Sequence, residues 1–194
     1  MSVEPWLLHS LNGVPREYAV DVGANVGSWT RMLAAEFKLV TAVEADERAY
    51  ATLTASLPSN AIALHRAVCD RVAEMTLYRR PSAEQSSLLE IHPIGAGGGG
   101  DAPVVDVTTV RGVTLDSICP IGADFVKIDV EGAEVAVLAA ATKSIWTKAT
   151  FLVECHDTFA AVTRCLELLG KAVERVPHPY QSHPGHCWAI GRPR

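Results

Sequence analysis

Residues 18–30, YAVDVGANVGSWT, decide how the rest of the chain is read. A short apolar run, Ala19-Val20-Asp21-Val22, ends in Gly23-Ala24-Asn25-Val26-Gly27, and an apolar, helix-forming segment follows over residues 28–37. Strand, glycine turn and helix, in that order, build a site where backbone N–H groups and a helix N-terminus face a ligand. Glycine serves there because φ is positive or because a ligand must come close to the main chain. The next apolar run, Leu39-Val40-Thr41-Ala42-Val43, ends in Glu44. An acid at the tip of the second strand is where the hydroxyls of a nucleotide ribose are bound.

A dinucleotide fingerprint would place further glycines where this chain has Asn25 and Ser28, so a pyrophosphate would have poor access to the turn. The spacing Asp-x-Gly-x-x-x-Gly, from Asp21 to Gly27, resembles instead the first motif of Rossmann-like S-adenosylmethionine-dependent methyltransferases. That resemblance implies a cofactor without phosphate, whose amino-acid tail a carboxylate such as Asp21 can orient.

The chain has 194 residues, enough for one domain with a sizeable core. Hydrophobic residues make up 48% and charged residues 20%, the balance of an ordinary globular protein. A net charge of −5 leaves no basic footprint, which argues against a nucleic-acid backbone as partner. No apolar run approaches the roughly 18 residues of a membrane span, and the N-terminal MSVEPWLLHSLNG lacks the basic region of a signal peptide. The five cysteines (Cys69, Cys119, Cys155, Cys165 and Cys187) are dispersed without a C-x-x-C pair. They read as reduced thiols and favour a cytoplasmic address.

Residues 1–17 form a lead-in with Trp6, Leu7, Leu8 and Leu11 at helical spacing, suited to packing on the core or to covering the cofactor. A second helix is expected over residues 47–56, stopped by Pro58, then strands over 61–65, 73–79 and 104–110. Between the last two, residues 80–103 are Ser- and Gly-rich and lack a helix or strand pattern. They read as a mobile surface loop, with a substrate lid as the alternative. A buried strand over residues 125–129, a helix over 131–141, a strand over 150–154 and an amphipathic helix over 158–169 follow, the last stopped by Gly170. Residues 172–176 and 187–190 close the chain as an antiparallel pair. Strands alternating with helices predict a single α/β domain with helices on both faces of its sheet, and ligands at the carboxyl ends of the strands.

With those strand ends aligned, the chain resembles the FkbM-type methyltransferase family. The matching pieces are VDVGANVG at 20–27, VEAD at 43–46, QSSL at 85–88, VTLDSI at 113–118, DFVKIDVEGAE at 124–134 and VECH at 153–156. The long string after the TLDS element is the most distinctive, and the order holds from about residue 18 to 190. Ala45 departs from the proline that the family often carries after the acid. The resemblance implies a Rossmann-like class I methyltransferase fold: a mostly parallel seven-stranded sheet with an antiparallel C-terminal strand. It also implies transfer of the methyl of S-adenosylmethionine, mostly to a hydroxyl of a sugar or natural product. Asp21, Gly23, Asn25, Gly27 and Glu44 would hold the cofactor, with Ala67 and Asp70 as further contacts, Asp70 near the adenine.

For an alcohol acceptor the protein must align the hydroxyl with the methyl and take its proton. Asp129, Glu131 and His156 are the candidates, with Asp129 also at the cofactor, and His156 has the ring type suited to a general base. Plainer roles stand beside these: Glu131 and Glu134 could favour a helix N-terminus, Asp129 could cap it, and His156 could bond a loop carbonyl. Lys127 is expected to form an ion pair within the fold. Asp129, Glu131, Glu154 and His156 could together hold Mg²⁺ or a similar ion, but no metal is favoured. The run from His178 to Cys187, with His183 and His186, tempts as a zinc site but lacks a second Cys/His pair. The expected partner is a small hydroxylated acceptor, with neither nucleic acid nor membrane. N-methylation and a cofactor-binding protein without turnover are the alternatives.

Overall fold

A computed structural model of the protein describes residues 9–90, 103–178 and 185–194. Ten strands among them form two sheets. Strands β1 (Tyr18–Val22), β2 (Leu39–Glu44) and β3 (Ala61–His65) are followed by β4 (Ala67–Val68), β5 (Glu74–Arg79) and β6 (Asp106–Val113). Strands β7 (Phe125–Ile128), β8 (Thr150–His156), β9 (Lys171–Pro177) and β10 (His186–Pro193) complete the set. The main sheet has seven strands in the order β3-β2-β1-β7-β8-β10-β9, parallel except for β10, which runs against both of its neighbours. Its central strands are buried on both faces, which is why their sequences are near-continuous apolar runs.

Alternation along these strands sorts the core into two layers. Val20, Val22, Val126, Ile128, Phe151 and Val153 pack on one face, and Ala19, Phe125, Leu152 and Ile190 on the other. The first layer is covered by α4 (Glu134–Ala139), α5 (Lys143–Trp146) and α6 (Phe159–Leu168), through Val137, Leu138, Trp146, Val162 and Leu166. The second is covered by α1 (Ser28–Glu36), through Leu33, and by Leu11 of the lead-in. Of the two placements open to residues 1–17, the described part takes the core; residues 1–8 lie outside the described residues.

Helix α2 (Glu47–Ala55) starts where the Asp46 carboxylate accepts the Arg48 N–H, and the one-turn α3 (Leu115–Ile118) starts in a Thr114–Ser117 capping box. The helix expected from residue 131 begins at Glu134 instead. Glu131 and Gly132 have φ values of 53° and 97°, and a left-handed pair cannot continue a right-handed helix. The smaller sheet, β4-β6-β5, is not hydrogen-bonded into the main one but packs on it through Val68, and carries the strands expected over 73–79 and 104–110. After β5 a short 3-10 turn (Ala83–Gln85) and Ser87, bridged to Tyr78, bring residues 80–90 back against the fold. The glycine run of the expected loop, at 95–100, lies outside the described residues, as does His183. All five cysteines are free, and no described helix is long and apolar enough to cross a membrane.

Candidate active site

The turn after β1 is built around Gly23 and Asn25. Gly23 has φ 72°, and a Cβ there would lie 1.7 Å from the Asp129 carbonyl oxygen, so only glycine lets the two strand ends close together. The Gly23 and Ala24 N–H groups both donate to the Val43 carbonyl at 3.0 Å. Asn25, also left-handed at φ 48°, directs its N–H to Glu44 Oε2 at 2.7 Å, while Glu44 Oε1 accepts the Asp46 N–H at 2.7 Å. Each Glu44 oxygen thus keeps a second lone-pair direction for a ligand hydroxyl. Burial pushes the Glu44 carboxyl above its usual range, against the pull of the Asp46 and Asn25 N–H groups.

Behind this turn lies a buried charge layer. Lys127 is 1% exposed, donates to the Gly23 carbonyl at 2.8 Å, and sits 3.4 Å from Asp21 Oδ1 and 3.3 Å from Asp129 Oδ2. Burial works against the ammonium, but the charges of Asp129, Asp21 and Glu154 raise its pKa. Lys127 is therefore the internal ion pair its place in the strand implied, and its ammonium ties the ends of β1 and β7 together.

A cavity of about 230 Å³ opens over these strand ends. One wall is Val22, Gly23, Asn25, Val43, Glu44 and Ala45; a second is Arg66, Ala67, Val68 and Leu77. Ala83, Ser86, Ser87 and Leu88 form a third, and Asp129, Val130, Glu131, Ala133 and Glu154 the far end. Of the residues singled out in the sequence, Gly23, Asn25, Glu44, Ala67, Asp129 and Glu131 meet in this wall.

Four others stand elsewhere. Asp21 is fully buried behind the wall, accepting the Thr30 hydroxyl at 2.7 Å and facing Lys127, so its carboxylate supports the turn from behind. Gly27 caps α1 at φ 86°, a left-handed conformation that favours glycine, and packs beside Leu53. Asp70 is exposed and paired with Arg71 at 3.0 Å; Val68 and Arg66, not Asp70, flank Ala67 in the wall.

His156 is the fourth, set behind the cavity wall and not in it. It is 4% exposed and its Nδ1 lies 2.8 Å from Glu134 Oε1, with Nε2 3.6 Å from Glu131 Oε2. Burial opposes a charged ring, but the Glu134 hydrogen bond and the charges of Glu131, Glu134 and Asp129 push its pKa up to about 10. These neighbours favour the charged ring, which weighs against a role as general base.

The sequence offered Glu154 only as a possible ligand of a cation and residues 85–88 only as a family-like piece; the structure puts Glu154, Ser86 and Ser87 in the cavity wall. Glu154 lines the cavity, lies 3.2 Å from His178 Nε2, and is raised by burial and by the Asp129 charge. Its signal was present: β8 ends in Glu154-Cys155-His156, and period-two alternation aims the first and third residues alike. Ser87 Oγ donates to the Glu131 carbonyl and Ser86 Oγ to Asp46 Oδ2, both at 2.8 Å, which fastens the third wall to both ends of the cavity. Nothing in the periodicity of the sequence announces those long-range bonds.

A strand order that reverses at β1, a cavity at the carboxyl ends on either side of that reversal, and a ribose-type acid at the tip of β2 define a Rossmann-like class I methyltransferase fold. The profile of the methyltransferase FkbM domain matches residues 21–174, and the chain belongs to that family. Among solved structures, a methyltransferase FkbM from Methylobacillus flagellatus superposes with a TM-score of 0.62 at 15% identity, covering 90% of this chain. This chain spans 43% of that protein's length. A putative methyltransferase from Streptococcus mutans, solved in complex with S-adenosylhomocysteine, matches at 0.58 and 14% identity, over 98% of this chain and 99% of that one. An rRNA methylase from Streptococcus thermophilus matches at 0.57 and 12% identity, over 100% and 99% of the two chains. At such identities the likeness is one of fold. No curated protein sequence matches the chain.

Proposed function

We propose that the protein is an S-adenosylmethionine-dependent O-methyltransferase acting on a hydroxyl of a small molecule, sugar or natural product. The observation that carries the reading is the Glu44 cradle, in which both carboxylate oxygens are held by N–H groups at 2.7 Å and the carboxylate faces the cavity. The residues present fit the cofactor. Gly23 lines the cavity with main chain alone, and Asn25 Oδ1 is buried with no hydrogen-bond partner among the described residues. Glu44 suits the ribose hydroxyls, and Ala67, Val68 and Leu77 offer an apolar slot for a base. When bound, the cofactor supplies an electrophilic methyl on a sulfonium, chemistry that the protein need only align.

The far end of the cavity supports a hydroxylated acceptor. Ionised carboxylates accept hydrogen bonds and donate none, so Asp129, Glu131 and Glu154 select donors such as hydroxyls and orient them. Asp129 faces Lys127 and Glu131 faces His156, whereas Glu154 faces His178. Glu154 therefore takes the hydroxyl proton, and His178 Nε2 at 3.2 Å can relay it outward. An ammonium would suit the same carboxylates, so an N-directed enzyme is the second reading. The net charge of −5 supports a small acceptor over RNA, despite the fold shared with an rRNA methylase.

Calorimetric titration with S-adenosylhomocysteine is the test, beside NAD and the Glu44→Ala variant. Micromolar binding, weakened at least about tenfold in the variant because two charge-assisted hydrogen bonds are lost, is expected, with none for NAD. An absence of binding by the folded protein refutes the reading. A panel of alcohols, sugars and amines, scored by mass of the methylated product, then separates O- from N-transfer, and no turnover with any of them favours a cofactor-binding protein.

A further inference from the structure

Behind the far end of the cavity the buried His156 meets two of the residues that line it, Asp129 and Glu131. One carboxylate oxygen each from Asp129 and Glu131 and one ring nitrogen of His156 lie within 4.8 Å of one another. His156 Nε2 and Glu131 Oε2 are 3.6 Å apart, too long for a good hydrogen bond. Ligand atoms at about 2.1 Å from one small cation stand about 3 Å apart when adjacent and about 4.2 Å when opposite, so these atoms need little contraction to share an ion.

The support around them has the form that metal sites use. Glu134 is fully buried, lies 2.8 Å from His156 Nδ1, and is itself held by the Gly132 N–H and the Thr158 hydroxyl, each at 2.8 Å. An imidazole anchored through one nitrogen to a carboxylate presents the other with its tautomer and direction set. Glu131 is placed by a left-handed backbone, φ 53°, that Ser87 secures through its carbonyl. Asp129 meets Lys127 through Oδ2 at 3.3 Å.

We propose that Asp129, Glu131 and His156 bind one divalent first-row transition cation, of the Mn²⁺, Fe²⁺, Co²⁺ or Zn²⁺ type, at the acceptor end of the cavity. The two carboxylates balance its charge, and the imidazole favours it over Mg²⁺ and Ca²⁺, which take oxygen ligands. Binding replaces the Nε2 proton. Three protein ligands leave coordination positions toward the cavity, where acceptor oxygens would be held and their pKa lowered. Only that last use rests on the methyl-transfer reading.

The test is titration of the chelator-stripped protein with Mn²⁺, free ion being followed by its electron paramagnetic resonance, with S-adenosylhomocysteine binding measured separately on the same preparation. One equivalent is expected with a micromolar Kd, weakened at least tenfold by Glu131→Gln; Asp129→Asn serves if that variant does not fold. Displacement of Mn²⁺ by Zn²⁺ but not by equal Mg²⁺ is expected as well. No saturable binding, binding unchanged by these variants, or Mg²⁺ competing equally would overturn the proposal. So would loss of binding on His186→Gln alone, since Glu154, His156 and His186 form a second convergent group on the same ring. Cofactor binding that persists without any Mn²⁺ binding would remove the cation and leave the methyltransferase reading standing.

Discussion

At Gly23 a positive φ and a neighbouring carbonyl act together. Alanine there would meet the Asp129 oxygen at 1.7 Å in a backbone conformation that side chains disfavour, and neither the β1 nor the β7 end can yield without disturbing Lys127. Gly23→Ala is expected to cost about 3 kcal/mol in urea unfolding, and to abolish S-adenosylhomocysteine binding even where the variant folds. The motif announced this glycine, because a Gly-rich strand-to-helix turn has few other physical purposes. Asp21, in the same motif, was harder to place: alternation puts it on the face of Lys127, and a buried lysine beside it takes the carboxylate that a ligand would otherwise meet. His156 shows the limit more sharply. Its residue type suggested a base, whereas three acids from three other positions, Asp129, Glu131 and Glu134, all favour the charged ring.

Helix α2 depends on one cap that also reaches across the fold. Asp46 is fully buried; it accepts the Arg48 N–H at 2.8 Å, pairs with the Arg48 guanidinium at 2.7 Å and accepts the Ser86 hydroxyl at 2.8 Å. Burial opposes its charge, but the Arg48 and Ser86 hydrogen bonds prevail and hold the carboxyl at about 2. The unfolded carboxyl titrates near 3.9, so the charged form stabilises the fold fully above about pH 4. That contribution, about 2 kcal/mol, is lost as pH falls from about 4 to 2. Asp46→Asn is expected to be less stable at pH 7 by about that amount. The gap between variant and wild type should close between pH 4 and 2, read by urea unfolding across a pH series. The partner Ser86, forty positions away and beyond three strands, was not legible in the sequence. The helix after β7 was misjudged at its start for a related reason: Glu131 looks like a first-turn acid, but the left-handed pair Glu131-Gly132 delays the helix to Glu134.

Across the whole molecule, the cavity draws its walls from both sheets and from the 80–90 stretch, so a ligand there bridges elements far apart in sequence. At a hundredfold excess over Kd, S-adenosylhomocysteine should add about 2.7 kcal/mol to stability. For a chain of this size that is a rise in Tm of roughly 5–10 °C by differential scanning fluorimetry. NAD should give none, and Glu44→Ala a much smaller rise at the same ligand concentration.

Local rules carried the alternation of strands with helices, the antiparallel pair that closes the chain, and the Gly23, Asn25 and Glu44 turn, whereas the seven-stranded parallel sheet came with the family resemblance. Each of the first three is written in apolar period or turn chemistry over a few adjacent residues, and such signals survive without knowledge of the rest of the fold. Which side chains reach the cavity was settled by packing between distant segments: Asp70 turned to Arg71 at the surface, Glu154 drawn into the wall, Ser86 and Ser87 fastened to Asp46 and Glu131. The charge state of His156 belongs with these. A pKa is set by the sum of fields from every nearby group, and only folding brings those groups within reach.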